Sequence, residues 1–507
     1  MLNKKFIKVD DFSGGLVTKG DELSLKSNQT SNCLNVYSDV SKSLKKRPGY
    51  AVLNGTSGEK TCDGIYNYRE TDTSHHLVSS WGGTIRNMDI STSAWSGTWA
   101  DIVVDDNGTA LADAITHFTT FNGDLIITNE SRSVPQKYDP DDNAAKLTDL
   151  IYGGSGTALP GKYCTNWHDY VWIANSATYP DRLQRSNASD HTKWSALDYN
   201  DIVTPGDVGI TGLPTLRGRL YPFKKHSIHR VSYLGGTPLL EVKEVTSSSG
   251  TASPRTIKTI EIPGKGEMLI FLGTDQQLYI FDGYNATNIS EPISTYNGIS
   301  TYCMTGDGAT YGINPAQLSQ CHAVVYPSLH WYMLFFPKDN DTISKDVMVY
   351  DYLNNTFWPF NLELAQNCSC IADNGAGQLK VYMAGVNYAH LFDSGTSDKD
   401  SAEAAHNISA YWTSARLDGG NEVLMKDLRL LFLTMKSVVC TPEVQYRTDW
   451  DSSWSTASTV TSAATNHTED IPYLDELIQF KFSDDSADEA FELRRATIVA
   501  SGRGVAK

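Results

Sequence analysis

Leu269-Ile-Phe-Leu272, a polar turn and a second short run closing on Phe281-Asp282 form the unit whose recurrence decides the fold. Leu125-Ile-Ile-Thr128 leads in the same way to Tyr138-Asp139, and Trp331-Tyr-Met-Leu-Phe-Phe336 leads to Tyr350-Asp351. Met88-Asp89 and Phe392-Asp393 close two more units, while Arg185, after Tyr170-Val-Trp-Ile173, and Arg230 close two that lack the acid. The units recur about every 50 residues, the period of propeller blades. A sheet of a few short strands cannot bury both its faces, so such units must stack on one another around a closed ring. About seven fit between Cys62 and Phe392, with six or eight left open because the fourth and sixth depart most from the pattern. The competing reading is an all-β chain that scatters strands and turns at similar spacing.

The fold class expected is therefore all-β, a β-propeller of about seven blades with an N-terminal arm and a small C-terminal β domain. Residues 1–58 are polar with few periodic strands and read as an arm or docking segment. Residues 59–400 carry the propeller, with blades built from sequence-local hairpins. Residues 395–407, rich in Ser, Asp, Glu and Ala, read as a linker. Residues 401–507 read as a sandwich-like β domain, strand-like at 408–416, 428–439, 443–447 and 492–501, with a short helical exception at 474–480. Abundant Tyr (26) and Trp (11) in 507 residues, without long 3.6-period stripes, favour strands over helices. Residues 1–9 have charges but no apolar core of a signal peptide, and no run reaches membrane-spanning length, so no membrane insertion by this chain is expected.

The formal net charge of −17 argues against a protein that grips nucleic acid over a broad surface. A wall along which DNA must slide should bind it weakly, because many Lys and Arg contacts to phosphate would hold the polymer in place. The local basic run, with Arg217, Arg219, Lys224, Lys225 and Arg230 beside His226 and His229, reads as a solvated strand edge kept from aggregating by its charges. The eight cysteines show no framework spacing, and Cys368-Ser-Cys370 is one residue short of a zinc knuckle, so buried free thiols are expected.

Enzymatic motifs fail on their own geometry. Gly156-Thr-Ala-Leu-Pro-Gly161-Lys162 has the spacing of a phosphate loop, but Tyr163 stands where a magnesium-binding hydroxyl is required, and the segment reads instead as the turn before the strand at 170–173. Ser189-Asp-His-Thr-Lys-Trp194 and Asp451-Ser-Ser-Trp454 are poor echoes of the sialidase turn, each lacking its glycine. His75-His76, neighbours on a strand, would point to opposite faces, and so would His226 and His229. No catalytic residue, metal or cofactor is assigned, and the chain is expected not to be an enzyme.

The N-terminal zone supplies a resemblance. Asp11-Phe-Ser-Gly-Gly-Leu16, Asn28-Gln29, Cys33-Leu-Asn35 and Leu44-Lys-Lys-Arg-Pro-Gly49 resemble the opening of tail hub, nozzle or packaged-DNA-stabilisation proteins in virions of short-tailed bacteriophages. The likeness continues through Tyr179-Pro-Asp-Arg182, Leu220-Tyr-Pro-Phe-Lys-Lys-His-Ser-Ile228, Ser253-Pro-Arg-Thr256, Phe271-Leu-Gly273 with Tyr279 to Gly283, and Val349-Tyr-Asp351 before Phe357-Trp358. It spans most of the first 400 residues, and its order is harder to obtain by chance than any single piece.

The resemblance implies a structural protein of the virion tail, made in the host cytoplasm, with a propeller in each subunit. It implies a homo-oligomeric ring, of six chains, below portal and adaptor, which retains packaged DNA and passes it during ejection. Partners would be adaptor and portal-side tail proteins, tail fibre or needle proteins, and double-stranded DNA in transit. Within the arm, Phe12 would be an apolar anchor and Arg47 a charged one on a neighbouring virion component. Gly14 and Gly15 would permit a turn that a β-carbon forbids, and Pro48 would fix a bend at the first blade. Deleting residues 1–20 should then leave a folded propeller that fails to join the tail. The alternative is a carbohydrate-binding or carbohydrate-cleaving propeller with sugar-stacking Trp turns at 95–99 and 450–454.

Overall fold

The computed structural model describes residues 4–505, apart from 54–59, 72–74, 92–97, 106–107, 141–145, 152–160, 374–376, 401, 419–423, 436–440, 449–452, 461–465, 476 and 487–489. Among the described residues strands dominate, and helix is limited to short 3-10 turns such as Glu22–Ser24 and Pro315–Gln320.

Among the described residues seven sheets follow one another along the chain from Cys62, six of them four-stranded, antiparallel and sequence-local. Their first strands are Cys62–Tyr68, Thr116–Phe121, Tyr163–Trp167, Thr215–Leu216, Lys258–Ile262, His322–Tyr326 and Cys368–Asp373. The last of these packs against the first, so the ring closes. Separate apolar clusters fill the spaces between neighbours, as Leu77 and Trp81 do with Tyr382 and Leu391 between the seventh and first blades. In the sixth blade, Trp331–Phe336 and Asp346–Asp351 are buried at every position, because both faces of that sheet are covered.

The repeated apolar-Asp pair marks the end of the third strand in five of the seven blades. Asp351 Oδ1 accepts from the backbone N–H of Leu353 and Asn354, Asp282 Oδ1 from Tyr284 and Asn285, and Asp89 Oδ1 from Ser91. The carboxylate thus builds the turn that sends the chain into the fourth strand, which is why acid and apolar residue travel together. Arg185 and Arg230 lie on the third strands of blades three and four, Arg182–Asn187 and Ile228–Tyr233.

The seventh blade borrows its fourth strand. After Ala389–Phe392, the next partner is Tyr50–Val52 from the N-terminal segment, with Asp398–Lys399 then Ala405–His406 outside it. Residues 395–407 are therefore in part sheet rather than linker, and Pro48 leads into the last blade rather than the first.

The remaining N-terminal strands join the C-terminal ones in two sheets. One holds Lys4–Val9, Val36–Ser38, Leu44–Lys46, Glu492–Val505, Leu424–Met435 and Asn466–Asp475; the other holds Asn32–Leu34, Ala410–Thr413, Ile478–Asp484, Glu443–Thr448 and Ser455–Thr459. The described part of 474–480 is strand, not helix. One apolar cluster runs from both sheets, through Val36, Leu433, Trp412 and Phe482, into Trp331 and Phe357 of the sixth blade. Lys46 and Asp484, almost fully buried, join the two sheets by an ion pair of 2.8 Å. The described residues 4–53 are thus no free arm: they complete the sandwich and lock the propeller.

At the borrowed strand, the Tyr50 ring meets His390 edge-on with centroids 5.0 Å apart, and His390 Nδ1 lies 3.2 Å from Gln366 Oε1. Burial pushes His390 down to about 4. Its folded value is below its unfolded one, so the unfolded chain takes up the proton first, and stability present above about pH 6.5 is lost as pH falls toward 4. Denaturant unfolding at pH 7.5 and 4.5 should show the wild type losing about 2 to 3 kcal/mol more than His390→Asn on acidification. Equal losses in the two proteins would remove this histidine from the account.

Candidate functional site

Asp11-Phe-Ser-Gly-Gly-Leu16 runs between sandwich and propeller. Phe12 is fully buried, its ring edge-on to Trp412 at 5.1 Å. A Cβ on Gly14 would stand 2.5 Å from Asn28 O, and Gly15 has φ +66° with Thr356 and Phe357 pressed against it. The Leu16 N–H donates to Phe357 O at 2.9 Å, so this turn is stitched to the fourth strand of the sixth blade.

Arg47 is buried and uses all five of its N–H groups. Its Nη atoms grip Asp398 bidentately at 2.8 and 2.7 Å, while donating also to Pro48 O and Asn361 O. Nε donates to Asn35 Oδ1 at 2.8 Å, an oxygen that also accepts from Asn361 N, while Asn35 Nδ2 donates to Ser409 O. Gly49 has no room for a side chain, since a Cβ there would lie 1.9 Å from Ser397 O. The sequence expectation of Phe12 and Arg47 as anchors on another protein is corrected: both are spent inside their own chain. Pro48, half-buried, serves the same junction through its carbonyl.

The separated pieces of the resemblance meet one another. Asp181 of Tyr179-Pro-Asp-Arg182 pairs with Lys224 of the 220–228 segment at 2.8 Å. The Leu272 N–H donates to Thr256 Oγ1 at 3.2 Å, and Val349 stands opposite Trp358 in register. Lys224 is fully buried, also donating to Asp207 O, so the basic run is not wholly a solvated edge; Arg217 and Arg219 are exposed.

A second assembly lies on the propeller axis, where the starts of the inner strands gather. A cavity of about 260 Å³ is lined by Gly64, Thr116 and His117, then Arg255, Lys258, His322 and Ser369 among others. Arg255 Nη1 donates to Asn367 O at 2.6 Å and Nη2 to Gln320 O at 2.9 Å, tying blades five, six and seven. Burial pushes Lys258 down to about 8, with the Arg255 charge adding to the effect. Near the same end, burial alone would raise Glu130, yet the His117 hydrogen bond and the charges of His117, Lys162 and Arg255 hold it at about 2. Burial and the neighbouring Asp113 carboxylate push Asp63 up. Sequence reasoning did not bring these groups together, although Arg255 stands within Ser253-Pro-Arg-Thr256, Ser369 within Cys368-Ser-Cys370, and Lys162 closes the phosphate-loop spacing.

Of the broken phosphate loop, residues 156–160 lie outside the described residues. Lys162 pairs with Glu130 at 3.5 Å and Tyr163 opens the first strand of the third blade, Tyr163–Trp167. Ser189-Asp-His-Thr-Lys-Trp194 is a hairpin turn in which Trp194 is buried and donates to His191 O. Of the Trp-rich turns, residues 95–97 and 450–452 lie outside the described residues; Trp99 packs on Trp81, and Trp454 lies under Arg447. His76 Nδ1 contacts Asn87 Oδ1, and His229 Nε2 contacts Thr204 Oγ1. The described cysteines are free thiols, among them Cys62 and Cys368 with sulfurs 3.1 Å apart across the ring seam.

Phe12→Ala should cost the isolated chain about 3 to 5 kcal/mol in equilibrium denaturation, the usual range for emptying a closed aromatic site. An unchanged midpoint would return Phe12 to an external docking role. Asp398→Asn leaves a buried guanidinium uncompensated and should cost about 3 to 5 kcal/mol. Combining it with Arg47→Met should cost less than the sum of the single changes, and strict additivity in that cycle would show that the pair is not coupled.

No family model matches the chain, and no curated protein matches it. Among solved structures, it is similar to PorZ, an essential bacterial surface component of the type-IX secretion system of Porphyromonas gingivalis, at 11% identity and a TM-score of 0.39. It is also similar to the extracellular domain of a putative hybrid two component system from B. thetaiotaomicron, at 9% identity and a TM-score of 0.45. These alignments cover 72% and 86% of this chain but span only 42% and 58% of those chains. At such identities and scores neither likeness bears on activity or partner.

Proposed function

We propose that this chain is a structural subunit of a short-tailed bacteriophage tail, a hub or nozzle protein whose six-membered ring extends the DNA channel below portal and adaptor. The observation that carries the reading is that the scattered pieces of the sequence resemblance are one another's contacts. Gly15 meets Phe357, Asn35 meets Arg47, Asp181 meets Lys224 and Thr256 meets Leu272. A chance likeness has no reason to select residue pairs that touch, from Asn35 and Arg47, 12 positions apart, to Gly15 and Phe357 at opposite ends of the likeness, whereas likeness in a shared architecture does. The role is mechanical: ring and sandwich share one apolar core, and the net charge of −17 disfavours gripping DNA in passage.

Native mass measurement of the full chain, alone and with the portal and adaptor proteins of the same virion, should yield a discrete sixfold species with those neighbours. A chain that stays monomeric beside them would overturn the assignment. So would normal DNA packaging and ejection in virions lacking it. Specific retention on a glycan array would turn attention to the carbohydrate-binding alternative.

A further inference from the structure

We propose that the axial cavity lined by blades one, two, five, six and seven is a binding site for a small oxyanion of the phosphate or carboxylate type. Four donor groups on three blades line it. His322 is 2% exposed, and its ring lies flat on Phe335 with centroids 4.6 Å apart, which fixes its plane. Its ring nitrogens make no hydrogen bond of good geometry among the described residues, with the Gln320 backbone as the adjoining polar group. Ser369 Oγ and Arg255 Nε, both buried, also lack one among the described residues. Lys258 is the fourth, and its electrostatic neighbours are Cys370 and Arg255 rather than a carboxylate.

These groups are unlike ordinary buried polar side chains, which are nearly always paired. The charge balance points the same way. Glu130 is the acid that compensates Arg255 most, yet it is already engaged by His117 and Lys162. No carboxylate is among the described residues that line the cavity. Two half-buried cations facing one cavity repel each other and have lost part of their hydration, so an anion between them is favoured on both counts. Burial, with the charges of Arg255 and Lys258, holds His322 well below the usual histidine range, so the ring is neutral and donates a single N–H. A cavity of about 260 Å³ exceeds a water molecule's share of about 30 Å³ several-fold, leaving room for a tetrahedral or planar oxyanion. The donors stand on packed inner strands, so the site is formed before the anion arrives.

The site does not depend on the tail assignment. Inorganic phosphate and acetate, titrated separately into the full-length protein by calorimetry at constant ionic strength, should show saturable binding of at least one of them, one per chain. Lys258→Met should weaken that binding about tenfold or more while leaving the thermal midpoint in anion-free buffer unchanged or higher. Ser369→Ala removes only a hydroxyl and should also weaken it. Absence of saturable binding of both anions to the wild type overturns the proposal, as does stabilisation matched by sodium chloride at equal ionic strength. Should Lys258→Met fail to fold, Ser369→Ala decides, and unchanged affinity for both anions in that variant rejects the site.

Discussion

The Arg47 guanidinium cannot be left buried with an unmet N–H, and satisfying it fixes much of the molecule. Its acceptors come from Asn35, Pro48, Asn361 and Asp398, segments far apart in sequence. Those segments are the N-terminal run itself, the last strand of the sixth blade and the outer edge of the seventh. A lysine could offer a charge here but not five donors in a plane, so the junction is built for arginine. Once Arg47 is seated, Gly49 is held against Ser397 O, and Tyr50–Val52 must continue alongside Ala389–Phe392.

That continuation closes the propeller. Every other blade is complete within one stretch of chain, so the ring could open where the first and last blades meet. A strand from before the first blade, paired to the third strand of the last, joins the two ends of the repeat by backbone hydrogen bonds. The apolar packing across the same seam, Leu77 and Trp81 against Tyr382 and Leu391, then has a fixed geometry in which to form. The sandwich shares its core with the sixth blade, so loss of the N-terminal strands would damage ring and sandwich together. Deletion of residues 1–20 therefore removes Lys4–Val9 and Phe12 from a shared core, and cannot be read as a test of docking alone.

The propeller was legible in the sequence because its signal is local. Asp89, Asp282 and Asp351 bond backbone groups two or three residues ahead, so apolar residue, acid and turn appear side by side and recur with the blade. The role of residues 1–58 was not legible, for the opposite reason. Asn32–Leu34, Val36–Ser38 and Leu44–Lys46 are three-residue strands, too short for a period-two pattern, and their partners lie hundreds of residues away in the C-terminal strands. A segment whose apolar side chains find no local partner looks like an arm, although Phe12 has its partner at Trp412. The axial groups were hidden similarly, since Arg255, Lys258, His322 and Ser369 come from three blades and form no motif along the chain.

The junction and the axis differ in what their polar groups still have to give. At the junction every N–H of Arg47 is answered within the chain, and Lys46 and Asp484 answer each other, so these charges specify architecture and have nothing left for a ligand. On the axis the balance is incomplete: Arg255 spends its Nη groups on Asn367 and Gln320, its Nε and Ser369 Oγ are unanswered among the described residues, and His322 has only the adjoining Gln320 backbone. A protein that can satisfy a buried arginine completely in one place has no structural need to leave another cluster short of acceptors. The shortage on the axis is therefore better understood as capacity for a bound anion than as an imperfection of packing, and it resides in the part of the fold where several blades can contribute to one ligand.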